Sequence, residues 1–343
     1  MTEKNRDRRT KSVTIYDVAK EAGVAASTVS RALSRPGRVS AETVTKVREA
    51  ARKLGYRERS TVSRESRSTS RLVLVSVAGV GNLYYHQTLE GIHDVMSEAG
   101  YTVVVIDGRT RSEYERAALN NTIELAEAVI MISPRTPDAA LAQLAKMRPT
   151  VIVNRILRDV HSVVQNVPDG MRQVIGLLEE LGHKSVTYIA GPADSWIQTP
   201  RWETLSNLAT ERGITPHRIG PFDPTVRGGI TAADAWMTNR TSSVVAYNDD
   251  MALGFMRSLL ERGVRIPADV SVIGIDNSAI APLFVPSLTS LALPGHGQGV
   301  VASRAVLDVI AGNQPRVPVS VVPMKLMRRG STGPANTVRP QAT

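Results

Sequence analysis

The sequence contains no cysteine and few aromatic residues. Of its 343 residues none is cysteine, and Phe, Trp and Tyr together make up 4%. The absence of thiols excludes a disulfide framework, a thiolate nucleophile and a cysteine-ligated zinc site. It is consistent with a reducing compartment, and any bound metal would need histidine or carboxylate ligands.

The sequence also lacks a segment that could span a membrane. No apolar run approaches the roughly 18 residues that cross a bilayer. The stretch TEKNRDRRTK near the N-terminus is polar, whereas a signal peptide has an apolar segment. We therefore expect a cytoplasmic protein with no membrane partner. Hydrophobic residues at 42% and charged residues at 22% predict a folded chain, and its length predicts more than one domain.

The net charge of +10 is confined to the first fifth of the chain. Residues 1 to 71 carry 18 Lys and Arg against 8 Asp and Glu, whereas residues 72 to 343 carry 24 of each kind. A basic segment of this kind favours a polyanion partner, because neutralising phosphates releases condensed counterions. A basic tail that only maintains solubility is the alternative.

The segment after the first twelve residues predicts three short helices. Thr14 opens the first helix, with Asp17 three residues later completing a capping box, and Gly23 ends it. A second helix runs from about Ala26 to Leu33, and Ser40 caps a third that ends near Gly55. Three helices in about 42 residues share one small core. The pattern is that of a helix-turn-helix unit, which also occurs in purely structural settings.

The outward face of the second helix separates these alternatives. Its residues are short or cationic, which suits insertion into a DNA major groove. They are Ala26, Ser27, Thr28, Ser30 and Arg31. Arg31 is the strongest candidate for contacting a base or a phosphate.

The stretches TIYDVAKEAGV, STVSRAL and LGY, within residues 13 to 56, resemble the DNA-binding headpiece of the lactose and galactose repressor (LacI/GalR) family. The resemblance implies that Ala26, Ser27 and Arg31 read bases. It places a second set of residues near phosphates: Thr14, Tyr16, Thr28, Ser30 and Arg31. Ala25 departs from the family, which usually has a capping serine there.

Residues 57 to 71 form a polar linker in which Val62 is the one apolar residue. In the resembled family this region becomes a hinge helix, and a leucine wedges into the minor groove. Here Glu65 occupies the position of that leucine. We therefore predict weaker DNA bending than in the family, with Val62 as the candidate wedge.

From Leu72 onward, short apolar runs such as LVLVSVA, AVIMIS and VSVIGID alternate with helical patterns. This rhythm predicts two doubly wound lobes with parallel sheets. Ligands on such sheets bind beyond the carboxyl ends of the strands, so two facing lobes create a cleft. The residues in such positions are Asn82, Tyr84, Tyr85, Arg155, Arg201, Asn248, Asp249, Asp250, Asp276 and Asn277. Seven of them form the predicted effector site: Asn82, Tyr84, Tyr85, Arg155, Arg201, Asp249 and Asp276. Singly, each could be an ordinary cap, turn or surface residue; together they suit a sugar-like polyol.

The resemblance extends to about residue 332 through GHKSVTYIAGP, AYNDDMALG and IPADVSVIGIDN. It implies an architecture like that of periplasmic sugar-binding proteins, with Arg201, Asp249 and Asp276 contacting the effector and an aromatic at Tyr84. Leu83 and Gln165 depart from the family, which commonly has proline and aspartate there.

The sequence thus predicts an all-α helix-turn-helix headpiece and an α/β two-lobed domain. The predicted bounds are a disordered basic tail at 1–12, the headpiece at 13–56, the linker at 57–71, the two-lobed effector-binding and dimerisation domain at 72–332, and a disordered tail at 333–343. The first lobe would comprise about 72–160 and 294–318, and the second about 161–293 and 319–332.

The motifs for nucleotide, phosphate or metal binding are weak in this sequence. The stretch GVG at 79–81 lacks the third glycine of a dinucleotide fingerprint, and GHKS at 182–185 fails the spacing of a phosphate-binding loop. His86, Glu90 and His93 share a helical face but are more typical of a solvated surface than of a metal site. We therefore expect no enzyme activity, cofactor or metal.

The predicted function is a homodimeric, sequence-specific transcription regulator, a repressor that binds an approximately palindromic operator in double-stranded DNA. A small-molecule effector, a sugar or sugar derivative, would control it allosterically. A free-standing periplasmic-type sugar-binding protein is the alternative, disfavoured by the basic headpiece. A dehydrogenase is a third possible function.

Overall fold

The computed structural model describes residues 13–34, 39–54, 56, 70–108, 111–313 and 318–335. The chain separates into two compact units, Met1–Ser68 and Thr69–Thr343. The predicted tail at 1–12 and most of the linker, including Val62 and Glu65, lie outside the described residues. No helix in the described part of the chain is both long and apolar enough to cross a membrane.

The smaller unit contains the three predicted helices, α1 (Ile15–Ala22), α2 (Ala26–Ser34) and α3 (Ala41–Leu54). The Thr14 amide donates to the Asp17 carboxylate at 2.7 Å, and Gly23 ends α1 with a left-handed backbone at φ +67°. The side chains that the helices bury against one another form one core, which includes Val18, Val29, Ala32 and Val47.

The larger unit contains two six-stranded sheets. The strands of the first sheet are β1 (Leu72–Val77), β2 (Thr102–Asp107), β3 (Ala128–Ile132), β4 (Thr150–Val153), β5 (His161–Gln165) and β11 (Val319–Val322). Those of the second sheet are β6 (Ser185–Ile189), β7 (Thr215–Ile219), β8 (Ser243–Ala246), β9 (Ser271–Asp276), β10 (Thr289–Ala292) and β12 (Lys325–Met327). The strand orders are β11-β5-β4-β3-β1-β2 and β12-β10-β9-β8-β6-β7. Pairing is parallel throughout except between β10 and β12, which confirms the predicted fold class.

Eight α-helices in the described part of the larger unit cover these sheets. They are α4 (Leu83–Glu98), α5 (Ser112–Thr122), α6 (Asp138–Met147), α7 (Val167–Glu180), α8 (Gln198–Glu211), α9 (Val226–Thr238), α10 (Asp249–Glu261) and α11 (Gly295–Ile310). On the first sheet, Ile92 and Met96 of α4 and Val306 of α11 join the valines of β1 in one buried cluster. On the second sheet, Trp236 of α9 packs edge-on against Phe255 of α10. Each sheet therefore has its own core and forms a separate lobe.

The lobe boundaries differ from the predicted ones. Residues 161–165 were assigned to the second lobe, but β5 pairs with β4 in the first sheet. Residues 319–322 were also assigned to the second lobe, but β11 pairs with β5. The chain therefore crosses between lobes after Gln165, after Ala292 and between Val322 and Lys325. The reason is that lobe membership is decided by strand pairing, which short strands such as these do not reveal in sequence.

The beginning of the predicted disordered tail is ordered. Gly333 donates its amide to the Ser271 hydroxyl at 3.0 Å, and the Ala335 amide donates to the Leu181 carbonyl at 2.8 Å. His183 is 2% exposed, and its Nε2 lies 3.2 Å from the Gly333 carbonyl. The same Nε2 lies 3.1 Å from the Ser271 hydroxyl, and Nδ1 lies 3.0 Å from the Ser242 hydroxyl. His183 therefore links Gly333 to two serines of the second lobe.

This arrangement predicts a pH-dependent stability. Burial lowers the pKa of His183, so the unfolded chain binds a proton at this residue while the folded chain does not. The unfolding temperature should therefore fall as the pH drops below about 6.5, the ordinary histidine pKa. Thermal denaturation at a series of pH values from 5 to 8 measures this change in unfolding temperature. The decline should be smaller in His183→Gln and unchanged in His86→Gln, which replaces an exposed histidine; an equal decline in all three proteins would contradict this role.

Candidate functional site

The first candidate surface is the outer face of α2 with the start of α1. Ser27, Ser30 and Arg31 of α2 are exposed, while Ala26 and Thr28 are half-buried. The Tyr16 side chain is 73% exposed, which is unusual for an aromatic residue in so small a unit. Thr14 is exposed at the start of α1, and its hydroxyl lies 2.7 Å from the Asp17 carboxylate. The predicted DNA-contact residues that the structure describes therefore lie at or near the surface.

Ion pairs on the rest of this unit occupy two of its lysines. Lys53 pairs with Glu21 at 2.6 Å, and Lys46 pairs with Glu42 at 2.8 Å. Arg31 is exposed at the C-terminal end of α2. A helix that presents short polar side chains and an exposed guanidinium can enter a DNA groove and donate hydrogen bonds to base edges or phosphates.

The second candidate site is the cleft between the two sheets of the larger unit. It encloses a cavity of about 40 Å³, far smaller than the roughly 300 to 1,000 Å³ of ligand pockets, so the two lobes lie close together here. It is lined by Asn82, Tyr84, Tyr85, Ser133, Asn154, Gln165, Ile197, Arg201, Tyr247, Asn248, Asp276 and Leu293. Seven of these residues end a strand or follow one within two residues, as the strand-end argument predicts.

Helix caps and strained backbone orient several of the lining residues. Asn82 caps α4 by accepting the Tyr84 amide at 2.8 Å, and Asn248 caps α10 by accepting the Met251 amide at 3.0 Å. Three other residues follow or end strands with positive φ: Ser133 (52°), Asn154 (65°) and Asp276 (126°). Such conformations cost about 1 to 3 kcal/mol each in non-glycine residues. Their concentration at one cleft is typical of a functional site.

Arg201 is the most strongly constrained charge in the cleft. The residue is 3% exposed, and its Nη1 donates to the Tyr247 carbonyl at 3.0 Å. Its Nη2 donates to the Gln165 side-chain oxygen at 3.2 Å. The Nε atom is buried without a partner within the described part of the chain. An unpaired buried donor costs about 1 to 3 kcal/mol, which a ligand oxygen can recover.

Five of the seven predicted effector residues line this cleft: Asn82, Tyr84, Tyr85, Arg201 and Asp276. The other two do not. Arg155 donates to the carbonyl oxygens of Pro134 at 3.1 Å and Thr136 at 2.8 Å, so it holds the loop after β3. Asp249 accepts from the Ser278 amide and the Ser290 hydroxyl, both at 2.6 Å, so its carboxylate is turned into the second lobe. The strand-end rule located both residues but not the direction of their side chains.

Asp249 and Asp276 form a buried acidic pair. Burial raises the pKa of Asp249 to about 6. Burial and, next, the charge of Asp249 raise the pKa of Asp276 well above its ordinary value, while Arg201 opposes the shift. Gly274 makes room for this pair, because a side chain there would place its Cβ 2.2 Å from an Asp249 oxygen. Asp249 does not line the cleft itself, but its charge raises the pKa of Asp276, which does.

We expect this pair to make stability depend on pH. The folded pKa of Asp249 exceeds its unfolded value, so its stabilising contribution is full below about pH 4 and is lost as the pH rises through about 6. The Asp249→Asn variant should therefore become more stable relative to the wild type between pH 4 and 7, by up to about 3 kcal/mol. Urea denaturation at each pH measures the difference. Asp223→Asn, at an exposed aspartate, is the control; a difference independent of pH would contradict the expectation.

Asn248 lines the cleft as its position after a strand predicts, although it was not among the seven effector residues. Six further lining residues were not predicted: Ser133, Asn154, Gln165, Ile197, Tyr247 and Leu293. Ser133, Asn154 and Tyr247 follow apolar runs, so the strand-end argument could have found them. Gln165 stood out as a departure from the resembled family, but its strand was assigned to the wrong lobe. Ile197 and Leu293 have no signal in sequence, because apolar lining residues look like any other core residue.

The weak metal motif on α4 forms ordinary contacts. His86 lies 3.6 Å from Glu90, and His93 lies 3.4 Å from the Ser97 hydroxyl. Across the residues that the structure describes, no group of three His, Asp or Glu side chains has a geometry that could hold a metal ion.

Comparison with known proteins assigns both units. Residues 14–58 match the model of bacterial regulatory proteins of the lacI family, and residues 175–332 match the periplasmic binding protein-like domain. The transcriptional regulator AscG of Escherichia coli K12 is 33% identical over 293 residues, which cover 82% of this chain and 87% of AscG.

Solved structures agree over nearly the whole chain. The lac repressor dimer bound to operator and the anti-inducer ONPF is 26% identical, with a TM-score of 0.70, and the match covers 94% of this chain and 100% of that one. The complex of the transcriptional regulator CelR with cellobiose is 27% identical, with a TM-score of 0.68, covering 93% and 99%.

These matches confirm the resemblance predicted from the headpiece motifs and from the strand pattern of the larger unit. The identity to AscG extends across both units, so the two domain matches belong to one architecture. The chain belongs to the lacI family of bacterial regulatory proteins and is a helix-turn-helix, DNA-binding transcription regulator with a periplasmic-binding-protein-like effector domain.

Proposed function

We propose that this regulator is a repressor whose affinity for its operator is set by a sugar or sugar derivative bound between the two lobes. The observation that carries the proposal is Arg201, a buried guanidinium whose Nε lacks a partner within the described residues and which lines the same cleft as Asp276. A donor and an acceptor in one cavity match the vicinal hydroxyl groups of a polyol. The solved CelR complex, whose ligand is cellobiose, supports a carbohydrate.

The shape and lining of the cleft also favour this ligand class. The rings of Tyr85 and Tyr247 provide flat apolar surfaces, and Ile197 and Leu293 add aliphatic contacts. Sugars present apolar C–H faces as well as hydroxyl edges, so they use both kinds of surface. Four amide side chains complete the lining: Asn82, Asn154, Gln165 and Asn248.

On the DNA side, we propose that α2 lies in the major groove. Ala26, Ser27 and Arg31 would read bases, and Thr14, Tyr16, Thr28 and Ser30 would lie close to phosphates. The exposure of Arg31 and Tyr16 supports this assignment. A homodimer would read two half-sites, which makes the operator an approximate inverted repeat. We further propose that the protein works in the cytoplasm and catalyses no reaction.

Selection from a pool of random DNA duplexes tests the proposed operator binding. The full chain should enrich inverted repeats over several rounds, and an equilibrium titration should show a preference of about 10³-fold or more over scrambled duplex at physiological salt. Enrichment of AT-rich sequence without dyad symmetry, or no enrichment, would contradict the proposal.

A thermal-shift screen of neutral sugars, sugar phosphates, polyols and nucleobases tests the effector half. A ligand that binds only the folded state at 100 times its Kd stabilises it by about 2.7 kcal/mol. The proposal expects at least one carbohydrate to raise the unfolding temperature and Asp276→Asn to abolish the shift. A shift produced only by nucleobases would replace the carbohydrate with another ligand class.

A further inference from the structure

The two lobes contact each other directly across the cleft. Asn82 of the first lobe forms a side-chain hydrogen bond with Asp276 of the second, and Tyr84 and Tyr85 pack against the core of the second lobe.

Two further contacts join polar side chains of the two lobes. The first is the hydrogen bond from the Arg201 Nη2 of α8 to the Gln165 side-chain oxygen at 3.2 Å. Gln165 ends β5 in the first lobe, whereas Arg201 belongs to the second. Both residues are almost completely buried, at 5% and 3% exposure. A polar contact shielded from water in this way is stronger than one at the surface.

The second contact is an ion pair at the rim of the cleft. The Arg135 Nη1 lies 3.0 Å from the Asp194 carboxylate. Arg135 follows β3 of the first lobe, and Asp194 follows β6 of the second. The Arg135 side chain is 9% exposed although Asp194 is 65% exposed. If Asp194 were removed, the largely buried Arg135 guanidinium would lose the negative charge that offsets the cost of burying it. The pair therefore contributes more than an ion pair between two exposed side chains.

The first-lobe partner in the buried contact is held rigidly. The Gln165 amide nitrogen donates to the Asn154 side-chain oxygen at 3.0 Å. Asn154 donates to the Tyr84 hydroxyl at 2.8 Å, and that hydroxyl donates to Gln298 at 2.8 Å. Gln298 in turn donates to the Asn154 oxygen at 2.9 Å, which closes a ring of hydrogen bonds. Gln165 therefore presents its oxygen to Arg201 from a fixed position.

We infer that these two contacts hold the empty cleft closed, and that the Gln165 oxygen occupies on Arg201 the place that a ligand oxygen takes. Ligand binding then requires the lobes to separate, and it exchanges one acceptor on Arg201 for another. The inference rests on the proposed function in one respect, namely that this cleft is the effector site. Closure without ligand is a property of the protein alone, so it can be tested separately.

The test measures the distance between the lobes in the full chain without effector or DNA. Because the chain contains no cysteine, Arg158→Cys in the first lobe and Asp223→Cys in the second carry two spin labels at defined positions. Arg158 is 94% exposed, and Asp223 is exposed. Mixing labelled protein with an excess of unlabelled protein suppresses distances between subunits, and pulsed electron double resonance gives the distance distribution.

The doubly labelled chain should show one narrow distance. Arg135→Gln combined with Gln165→Ala should lengthen it by at least about 2 Å, the size of a domain rearrangement, and broaden it. The charge exchange Arg135→Asp with Asp194→Arg, made together with Gln165→Ala, should give a shorter and narrower distance than Arg135→Gln with Gln165→Ala. Arg262→Gln, which breaks an ion pair within the second lobe, should change nothing. Circular dichroism confirms that each variant is folded.

Two results would overturn the inference. One is a broad distribution in the unaltered chain, which would mean that the empty cleft is open. The other is a distance that stays the same when Arg135 and Gln165 are both replaced, which would mean that other contacts close the lobes. Neither result would affect effector binding or operator selection, so failure of the inference and failure of the proposed function are distinguishable.

Discussion

Replacing Arg31 with alanine is expected to reduce affinity for the selected operator by about 5- to 150-fold, the equivalent of about 1 to 3 kcal/mol for a guanidinium contact to a base. Arg31 is exposed on α2, and the residues beside it on that face are too short to replace its reach. Affinity for scrambled duplex should fall much less, because non-specific binding is spread over many cations. Fluorescence anisotropy with labelled duplexes measures both affinities.

The salt dependence of the same titrations separates base reading from phosphate contact. If Arg31 contacts only a phosphate, the slope of log K against log salt should decrease by about 0.9, and both duplexes should weaken equally. Glu49→Ala is the matched control, since Glu49 is exposed on α3 of the same small unit. Equal losses in Arg31→Ala and Glu49→Ala would contradict the placement of α2 in the groove.

Replacing Arg201 with methionine should weaken effector binding by about 10- to 150-fold, the equivalent of about 1.5 to 3 kcal/mol. The guanidinium can offer its unpaired Nε to the ligand, which adds one hydrogen bond from a charged donor. A ligand bond to Nη2 replaces the existing bond to Gln165 and adds little. Methionine keeps most of the aliphatic volume, so the loss reflects the missing donors. Isothermal titration with the carbohydrate that gives the largest thermal shift measures the change.

A second arginine of the same lobe provides the control. Arg218 is exposed on β7 and stacks on the Trp202 ring at 5.9 Å, away from the residues that line the cleft. Arg218→Met should bind the effector as the wild type does. Unchanged binding in Arg201→Met, with the variant folded by circular dichroism, would remove Arg201 from the site.

Sequence patterns were sufficient for the fold class and for much of the cleft. Asn82, Arg201 and Asp276 follow strands or begin helices at the sheet edge where ligands bind, and the structure brings them together. Arg155 and Asp249 occupy equivalent positions in sequence but contact the loop after β3 and the start of the loop after β9 instead. A strand end specifies a location; the direction of a side chain depends on tertiary hydrogen bonds that sequence does not encode locally.

The crossings between lobes were harder to predict for a related reason. The short strand β5 ends in Gln165 and lies in the first sheet between β4 and β11. The β11 strand follows more than 150 residues later in the chain, and neither pairing leaves a signal in the local sequence. The wrong lobe assignment also concealed the contact between Gln165 and Arg201, which exists only because the two residues approach the cleft from opposite sheets.

The most direct test of the account is the coupling between its two sites. Operator affinity should be measured by anisotropy at fixed salt, with and without a saturating concentration of the stabilising carbohydrate. The account predicts a change of about 5- to 150-fold with the selected inverted repeat, and no such change in Arg201→Met. An affinity that is the same for the inverted repeat and for scrambled duplex, and that no ligand of the cleft alters, would contradict it.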